Sequence, residues 1–190
     1  YSGNITLTDA NPTAANLKII NDATATAYSG TAAELAAAFA GFGKDSLTGR
    51  VTITSTPTAA QLKTISDATT GQIVLPSTDF TLSGTSSVLA DALSGNFSNY
   101  AGAVTLTDAS PDPENLKIIN EGTSGNINLS DYSATFTGSA SVLASAFSNG
   151  YQGTLTGAVT INDSSGTITA ATLSTIGSKT NGVVTAAASG

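Results

Sequence analysis

The sequence predicts a repetitive α/β fold: a right-handed β/α solenoid of about seven coils of about 27 residues, with parallel strands and one short helix per coil. Three observations lead to this prediction. Leucines recur at a constant spacing, short apolar–threonine segments alternate with helix-forming segments, and the helix-forming segments begin with capping residues. A doubly wound sheet of the Rossmann type is the alternative, although no Gly-x-Gly-x-x-Gly fingerprint follows any expected strand.

Strands are expected where apolar residues alternate with threonine, because a period of two is typical of a half-buried strand. Segments 5–8, 51–54, 104–107 and 159–161 show this pattern. Further strands are expected at 72–75, 80–82, 127–129 and 135–137. Strand and helix segments that alternate along a chain indicate parallel strands joined by crossovers.

Two types of short helix alternate between these strands. The first type follows Asn11-Pro12, Thr56-Pro57 and Ser110-Pro111, where the polar side chain is expected to cap the helix and proline to take its first position. Its apolar stripe is Ala59, Leu62, Ile65 and Ala68 in the second copy. The second type is rich in alanine and pairs apolar residues at i and i+4, as in Leu89 and Leu93. Helices this short need packing on the strands.

Leucines give the length of the repeat. Five of them are equally spaced in the sequence: Leu35, Leu62, Leu89, Leu116 and Leu143. This spacing, which we term the leucine interval, equals the length of one expected coil. The outer members deviate, since Leu17 precedes the series by less than one leucine interval and Leu173 follows it by more than one. The spacing predicts one domain over residues 1–190 with irregular terminal coils.

Composition excludes several classes of function. Lys and Arg number 6 against 13 Asp and Glu, so the net charge of −7 disfavours a nucleic-acid partner. The chain has no His and no Cys, which removes the usual general base, the thiolate nucleophile and the commonest transition-metal ligands. We therefore expect a noncatalytic protein. A glycan-active enzyme built on carboxylates would be the catalytic alternative.

The compartment is expected to be extracellular, because a Thr-, Ser- and Gly-rich acidic chain without cysteine is typical of secreted or surface proteins of bacteria. The longest apolar stretch, residues 32–42, is too short to span a bilayer, so no transmembrane segment is expected. The chain contains no Met and begins with Tyr1, which suggests a processed product or a part of a longer protein.

Threonine pairs on the expected strands form one candidate binding surface. Thr6 and Thr8, Thr52 and Thr54, and Thr105 and Thr107 would each stand on one strand face. Such a ladder could bind ice or a glycan, but threonine is also a good polar residue for any solvated strand. The connecting tyrosines Tyr100, Tyr132 and Tyr151 could likewise stack on a glycan or pack at an edge.

Acidic residues near a proline form a candidate metal site. Asp108, Asp112 and Glu114 are close together in the sequence and could offer oxygen ligands to Ca²⁺, with Asn162-Asp163 at the corresponding place one repeat later. The alternative, which we favour, is that these residues form turns and helix caps. No other cofactor is expected.

The blocks 58–71 and 85–93 resemble the repeats of very large secreted or cell-surface proteins of cyanobacteria and other Gram-negative bacteria. The resemblance extends from about Ile5 to Val184 and implies a surface-layer, filament or adhesin-like role without catalysis. Proteins of this kind often carry hemolysin-type calcium repeats, but the Gly-Gly-x-Gly-x-Asp nonapeptide does not occur here.

The ends of the repeat array are the expected assembly surfaces. Both terminal segments read as strands without a polar cap, and Ile5, Leu7, Val183 and Val184 are their apolar residues. The sequence therefore predicts a structural or adhesive module that associates end to end with copies of itself or with flanking domains of one long chain. The alternative is a ligand-binding module that uses the threonine faces for ice or a cell-surface glycan.

Overall fold

The computed structural model describes residues 5–6, 27–97, 100–148, 150–163 and 168–186. Short parallel strands alternate with short helices through this part of the chain. The strands are β1 (Ile5–Thr6), β2 (Tyr28–Gly30), β3 (Val51–Ile53), β4 (Ile73–Val74), β5 (Leu82–Gly84), β6 (Val104–Leu106), β7 (Ile127–Asn128), β8 (Phe136–Gly138), β9 (Val159–Ile161) and β10 (Val184–Ala186). The helices are α1 (Ala32–Phe39), α2 (Ala59–Ala68), α3 (Ser86–Leu93), α4 (Pro113–Gly122), α5 (Ala140–Ala146) and α6 (Ala170–Gly177).

The strands form three separate sheets, with the orders β1-β2-β3-β4, β5-β6-β7 and β8-β9-β10. Every pair in them is parallel. The predicted right-handed solenoid of about seven coils is therefore wrong, because no single sheet runs through the described part of the chain.

The division into sheets follows from two unequal periods. The buried leucines of successive helices are separated by the leucine interval. Paired strands are closer in sequence, since Tyr28 pairs with Val51 and Val51 with Ile73, and both offsets are shorter than the distance from Leu35 to Leu62. The sequence distance from Tyr28 to Ile73 is therefore shorter than two leucine intervals. The segment between Ile73 and Leu82 makes up the difference, and the next sheet begins at Leu82.

Helices pack in a row, each against the next along the chain. The helices also contact the first strands of the second and third sheets, since β5 packs against α2 and β8 packs against α4. Single bridges from Ile73 to Phe97 and from Ile127 to Tyr151 extend β4 and β7. Within the described residues, no helix has the length and apolarity needed to cross a membrane.

The core runs along this row. The equally spaced leucines of the sequence lie in this core, since all five side chains are fully buried: Leu35, Leu62, Leu89, Leu116 and Leu143. The predicted apolar stripe of α2 is also buried, while Leu17 lies outside the described residues.

The helix starts differ from the sequence prediction. The N-cap of α2 is Thr58 rather than Thr56, and the N-cap of α4 is Asp112 rather than Ser110. Thr58 is the favoured N-cap because it forms a reciprocal capping box with Gln61, which satisfies two backbone N–H groups at once. Asp112 is the N-cap because Pro113, and not Pro111, takes the first helical position. The Asn11-Pro12 pair lies outside the described residues.

Candidate functional site

The predicted threonine pairs lie on the outer faces of the first two sheets. Thr52 and Thr105 are half-buried in β3 and β6, and the exposed Thr54 and Thr107 follow these strands directly. Thr6 lies in β1, but its side chain and the whole of Thr8 are outside the described part. The neighbours of Thr52 and Thr105 on adjacent strands are of mixed type: Ser29, Val74, Ser83 and Asn128. The first two sheets therefore carry no continuous row of threonines in the described ranges.

A continuous row does occur on the third sheet, where sequence reasoning did not expect it. Thr137, Thr160 and Thr185 are register partners on β8, β9 and β10, and all three are exposed. Adjacent strands are about 4.8 Å apart, so the side chains repeat at that interval. Val183, which is 72% exposed, lies two residues before Thr185 and therefore faces the same outer side of the sheet. The signal was the register, which a single sequence does not show.

Asp108 caps a helix of the preceding unit. Its carboxylate accepts hydrogen bonds from the Ser86 N–H (3.0 Å) and the Ser86 hydroxyl (2.6 Å) at the start of α3. Asp163 accepts in the same way from the Ala140 N–H at the start of α5, at 2.9 Å. A carboxylate at this place satisfies a free helix N–H and opposes the positive end of the helix dipole.

The structure does not bring the predicted calcium ligands together. Asp112 caps its own helix, accepting from the Glu114 N–H at 2.8 Å, while Asp108 is engaged with α3. Glu114 is in the first turn of α4 and is exposed to solvent. Within the described ranges, no three acidic side chains form a group that could hold a metal ion. The geometry thus gives the two aspartates the capping roles that the sequence offered as the alternative.

A buried Thr-x-Gly motif joins neighbouring units. It recurs as Thr69-Thr70-Gly71, Thr123-Ser124-Gly125 and Thr180-Asn181-Gly182. In each copy the threonine hydroxyl accepts from the glycine N–H at 2.9 Å and donates to a carbonyl of the preceding unit. A Cβ on Gly71 would lie 2.0 Å from the Gly49 carbonyl oxygen, so only glycine fits there. The recurring triplet was visible in the sequence and was missed.

Polar side chains also link α2 and α4 each to the next helix. Lys63 Nζ in α2 lies 2.6 Å from Asp67 and 2.7 Å from Asp91 of α3. Hydrogen bonds with Asp67 and then Asp91 raise the pKa of Lys63, so the ammonium stays charged. The buried Ser66 hydroxyl donates to the Ala92 carbonyl at 3.0 Å, and the Asn120 amide of α4 donates to the Ser145 carbonyl of α5 at 2.7 Å.

Of the three candidate tyrosines, Tyr100 belongs to the core, and Tyr132 and Tyr151 are partly buried against it. Tyr100 is buried, packs on Phe80 with ring centroids 5.2 Å apart and donates its hydroxyl to the Phe80 carbonyl. The hydroxyl of Tyr151 donates to the Ala146 carbonyl at 2.7 Å. A cleft of about 580 Å³ lies beside Tyr100, between the C-terminal ends of α3 and α4. Its buried polar residues, Asn120 and Thr123, already bond within the protein.

The C-terminal end of the described row differs from its interior. Leu173 of α6 occupies the position of Leu62 in α2, yet it is 37% exposed. Strand β10 pairs with β9 on one side, and no described strand lies on its other side. Of the predicted end residues, Val183 and Val184 are placed here, Ile5 lies in β1, and Leu7 is outside the described part.

No protein-family model, curated protein sequence or solved structure matches this chain. The function of the chain is therefore inferred from its own geometry and sequence.

Proposed function

We propose that this chain is a noncatalytic structural or adhesive repeat module of a bacterial extracellular assembly and that it associates end to end. The observations that carry the proposal lie at the C-terminal end of the described row, where Leu173 and Val183 are exposed and no described strand pairs with the outer edge of β10. Among the described residues, the one other exposed large apolar side chain is Ile118. Exposed apolar residues next to an unpaired strand edge favour association.

The interior of the molecule supports the proposal, because it contains the same kind of surface in its covered form. Helix α2 packs against α3 and α4 packs against α5, and Leu62 and Leu116 are fully buried. Covering the equivalent face of α6 would remove apolar surface from water in the same way. A neighbour on this side therefore gains stability from contacts of a type that the protein already uses.

The composition supports a noncatalytic role. The chain lacks His and Cys, and the carboxylates of Asp108, Asp112 and Asp163 each accept hydrogen bonds at a helix start. These three carboxylates thus have structural partners, as expected if they are present for the stability of the helices and not for catalysis.

The test compares two lysine substitutions on α6. The parent should form larger particles as its concentration and the salt concentration rise, since salt screens the net charge of −7. Leu173→Lys places a charge on the open face and should abolish the larger particles. Ala171→Lys is the matched control, because the equivalent residue of α2, Ala60, is exposed to solvent in the interior of the row.

Analytical ultracentrifugation and electron microscopy would measure particle mass and length. A parent that stays monomeric at every protein and salt concentration would overturn the proposed function. Equal assembly of both lysine variants would exclude the α6 face as the contact.

The threonine row of the third sheet favours a second candidate function, the binding of a regular surface such as ice or a glycan. Thr137, Thr160 and Thr185 are exposed, uncharged and evenly spaced. Thr160→Lys should remove inhibition of ice growth or retention on a glycan array, and Thr52→Lys on the first sheet serves as the control. Parent protein without either activity would dismiss this candidate.

A further inference from the structure

The proposed function leaves open which element covers the edge of β10. We infer that the edge accepts β1 of a second copy of this chain, in a parallel pairing that sets Val184 opposite Ile5 and Thr185 opposite Thr6. This inference rests on the proposed function and specifies its contact.

The direction of the backbone groups in β10 is fixed by its pairing with β9. Val184 is the register partner of Val159, and the Val159 N–H donates to the Val183 carbonyl. In a parallel ladder, alternate residues of a strand bond to one neighbour and the residues between them to the other. Val183 and Thr185 therefore bond to β9, while the N–H and C=O of Val184 face the open edge.

The direction of the backbone groups in β1 follows from its pairing with β2. The Tyr28 N–H donates to the Arg50 carbonyl, so the backbone groups of Tyr28 are directed to β3. Those of Ser29 are consequently directed to β1, where its register partner is Thr6. Since the register partner of a bonding residue does not itself bond across that pair, the N–H and C=O of Thr6 face away from β2. Strand β1 is the edge strand of its sheet in the described residues.

Among the described residues of β1, these two directions select one register. With Val184 opposite Ile5, the outward N–H of Thr6 meets the outward carbonyl of Val184. A slip of one residue would set Val184 opposite Thr6, and the Val184 N–H would then need the carbonyl of Ile5, which is directed to β2. Such a slip would also reverse which residues face the core.

The inferred pairing continues a pattern that is present inside the molecule. Val159 and Val184, and then Thr160 and Thr185, are already paired in the third sheet. Neither β10 nor β1 contains a charged residue, so the strands carry no like charges into the contact. The two edges differ from each other, and a contact between unlike surfaces that does not close produces an open filament.

The experiment uses one proline variant for each edge. Val184→Pro removes an N–H that faces the open side of β10, and Thr6→Pro removes one that faces the open side of β1, so neither change touches the bonds to β9 or β2. Val184→Thr keeps the N–H and the branched shape and is the matched control. Circular dichroism and thermal melting would verify that each variant is folded.

Each proline variant alone should be monomeric under conditions in which the parent and Val184→Thr form filaments. An equimolar mixture of the two proline variants should form a particle of twice the monomer mass, because one retains an intact β10 and the other an intact β1. The heterodimer also verifies that both variants fold.

The outcomes separate the inference from the proposed function. Filaments of the Val184→Pro protein equal to those of the parent would overturn the strand pairing while the end-to-end function stands. Dimers formed by Thr6→Pro alone would show β10 meeting β10 and would also overturn it. A parent that never assembles would defeat the proposed function itself.

Discussion

Helices α2 and α6 share an apolar pattern but have different surroundings. Leu62 is fully buried, whereas Leu173 at the same position is 37% exposed. Lys63 and Ser66 of α2 bond to α3, and the corresponding residues of α6 are Ser174 and Gly177, which cannot make those bonds. Burial in this molecule therefore depends on the next unit along the row. Helix α6 keeps the apolar contact surface but lacks the polar groups that link α2 to the helix after it.

Identical changes at two glycines should give the largest difference between the two regions. Gly71→Ala would place a Cβ 2.0 Å from a backbone oxygen and should cost more than about 3 kcal/mol. A Cβ on Gly177 meets nothing within 4 Å, so Gly177→Ala should stabilise α6 by up to about 1 kcal/mol. Urea unfolding of both variants would measure the free energies. A loss of equal size at both positions would contradict the comparison.

Leucine truncation tests the difference in burial directly. Leu62→Ala should cost about 2–5 kcal/mol, because it removes buried contacts and leaves a cavity. Leu173→Ala should cost less than half as much, since its side chain is partly in water already. Chemical denaturation of monomeric protein provides the measurement. Equal costs would mean that α6 is covered in solution.

The polar links between units should contribute less than the apolar core. Asp108→Ala leaves the Ser86 N–H and hydroxyl without their acceptor, and it should cost about 1–3 kcal/mol. Asp108→Asn retains an acceptor oxygen and should cost less. Thermal melting at pH 7 compares them, and an Asp108→Ala protein as stable as the parent would show that the cap contributes nothing.

Alkaline stability distinguishes the middle of the row from its neighbours. Tyr100 takes the position that Leu47 and Leu155 hold in other units, and burial raises the pKa of Tyr100 to about 12. The unfolded chain releases this proton near pH 10, so stability should be constant below about pH 10 and should fall between pH 10 and 12. Tyr100→Leu should reduce the slope, and Tyr151, whose pKa burial also raises, should supply the remainder. Urea midpoints from about pH 8 to 12 would show it.

Two capping boxes provide the smallest effect. Hydrogen bonds from the Thr31 N–H and hydroxyl lower the pKa of Glu34 below its ordinary value of 4.5, whereas Gln61 holds the same place in α2 without a charge. The contribution of Glu34 is present above pH 4.5 and is lost as the pH falls through its lowered pKa. Glu34→Gln should therefore melt with a smaller difference between pH 7 and pH 3 than the parent. An unchanged difference would contradict this role.

Features that depend on one period were predictable from the sequence. The leucine interval identified the buried leucines, and the i, i+4 pairs identified the helix faces. The sheet boundaries depend on the difference between the leucine interval and the sequence distance between paired strands. Because the described strands are very short, no single segment of the sequence shows which strand it pairs with. The outer row through Thr137 and Thr185 was missed for the same reason. Asp108 was identified as a residue of interest, but its partner Ser86 belongs to the preceding unit and emerged only from the fold.

The mismatch between helix spacing and strand spacing sets the smallest block that evolution can copy or remove. A block of one leucine interval would restore the helix row but would join strands in the wrong sheets. A block of two leucine intervals is the distance from Leu82 of β5 to Phe136 of β8, the first residues of two successive sheets. Adding or removing such a block keeps both the helix packing and the strand pairing as they are. Duplication or loss of genetic material in molecules built in this way should therefore occur in steps of two leucine intervals. Length variants that differ by a single interval should be selected against.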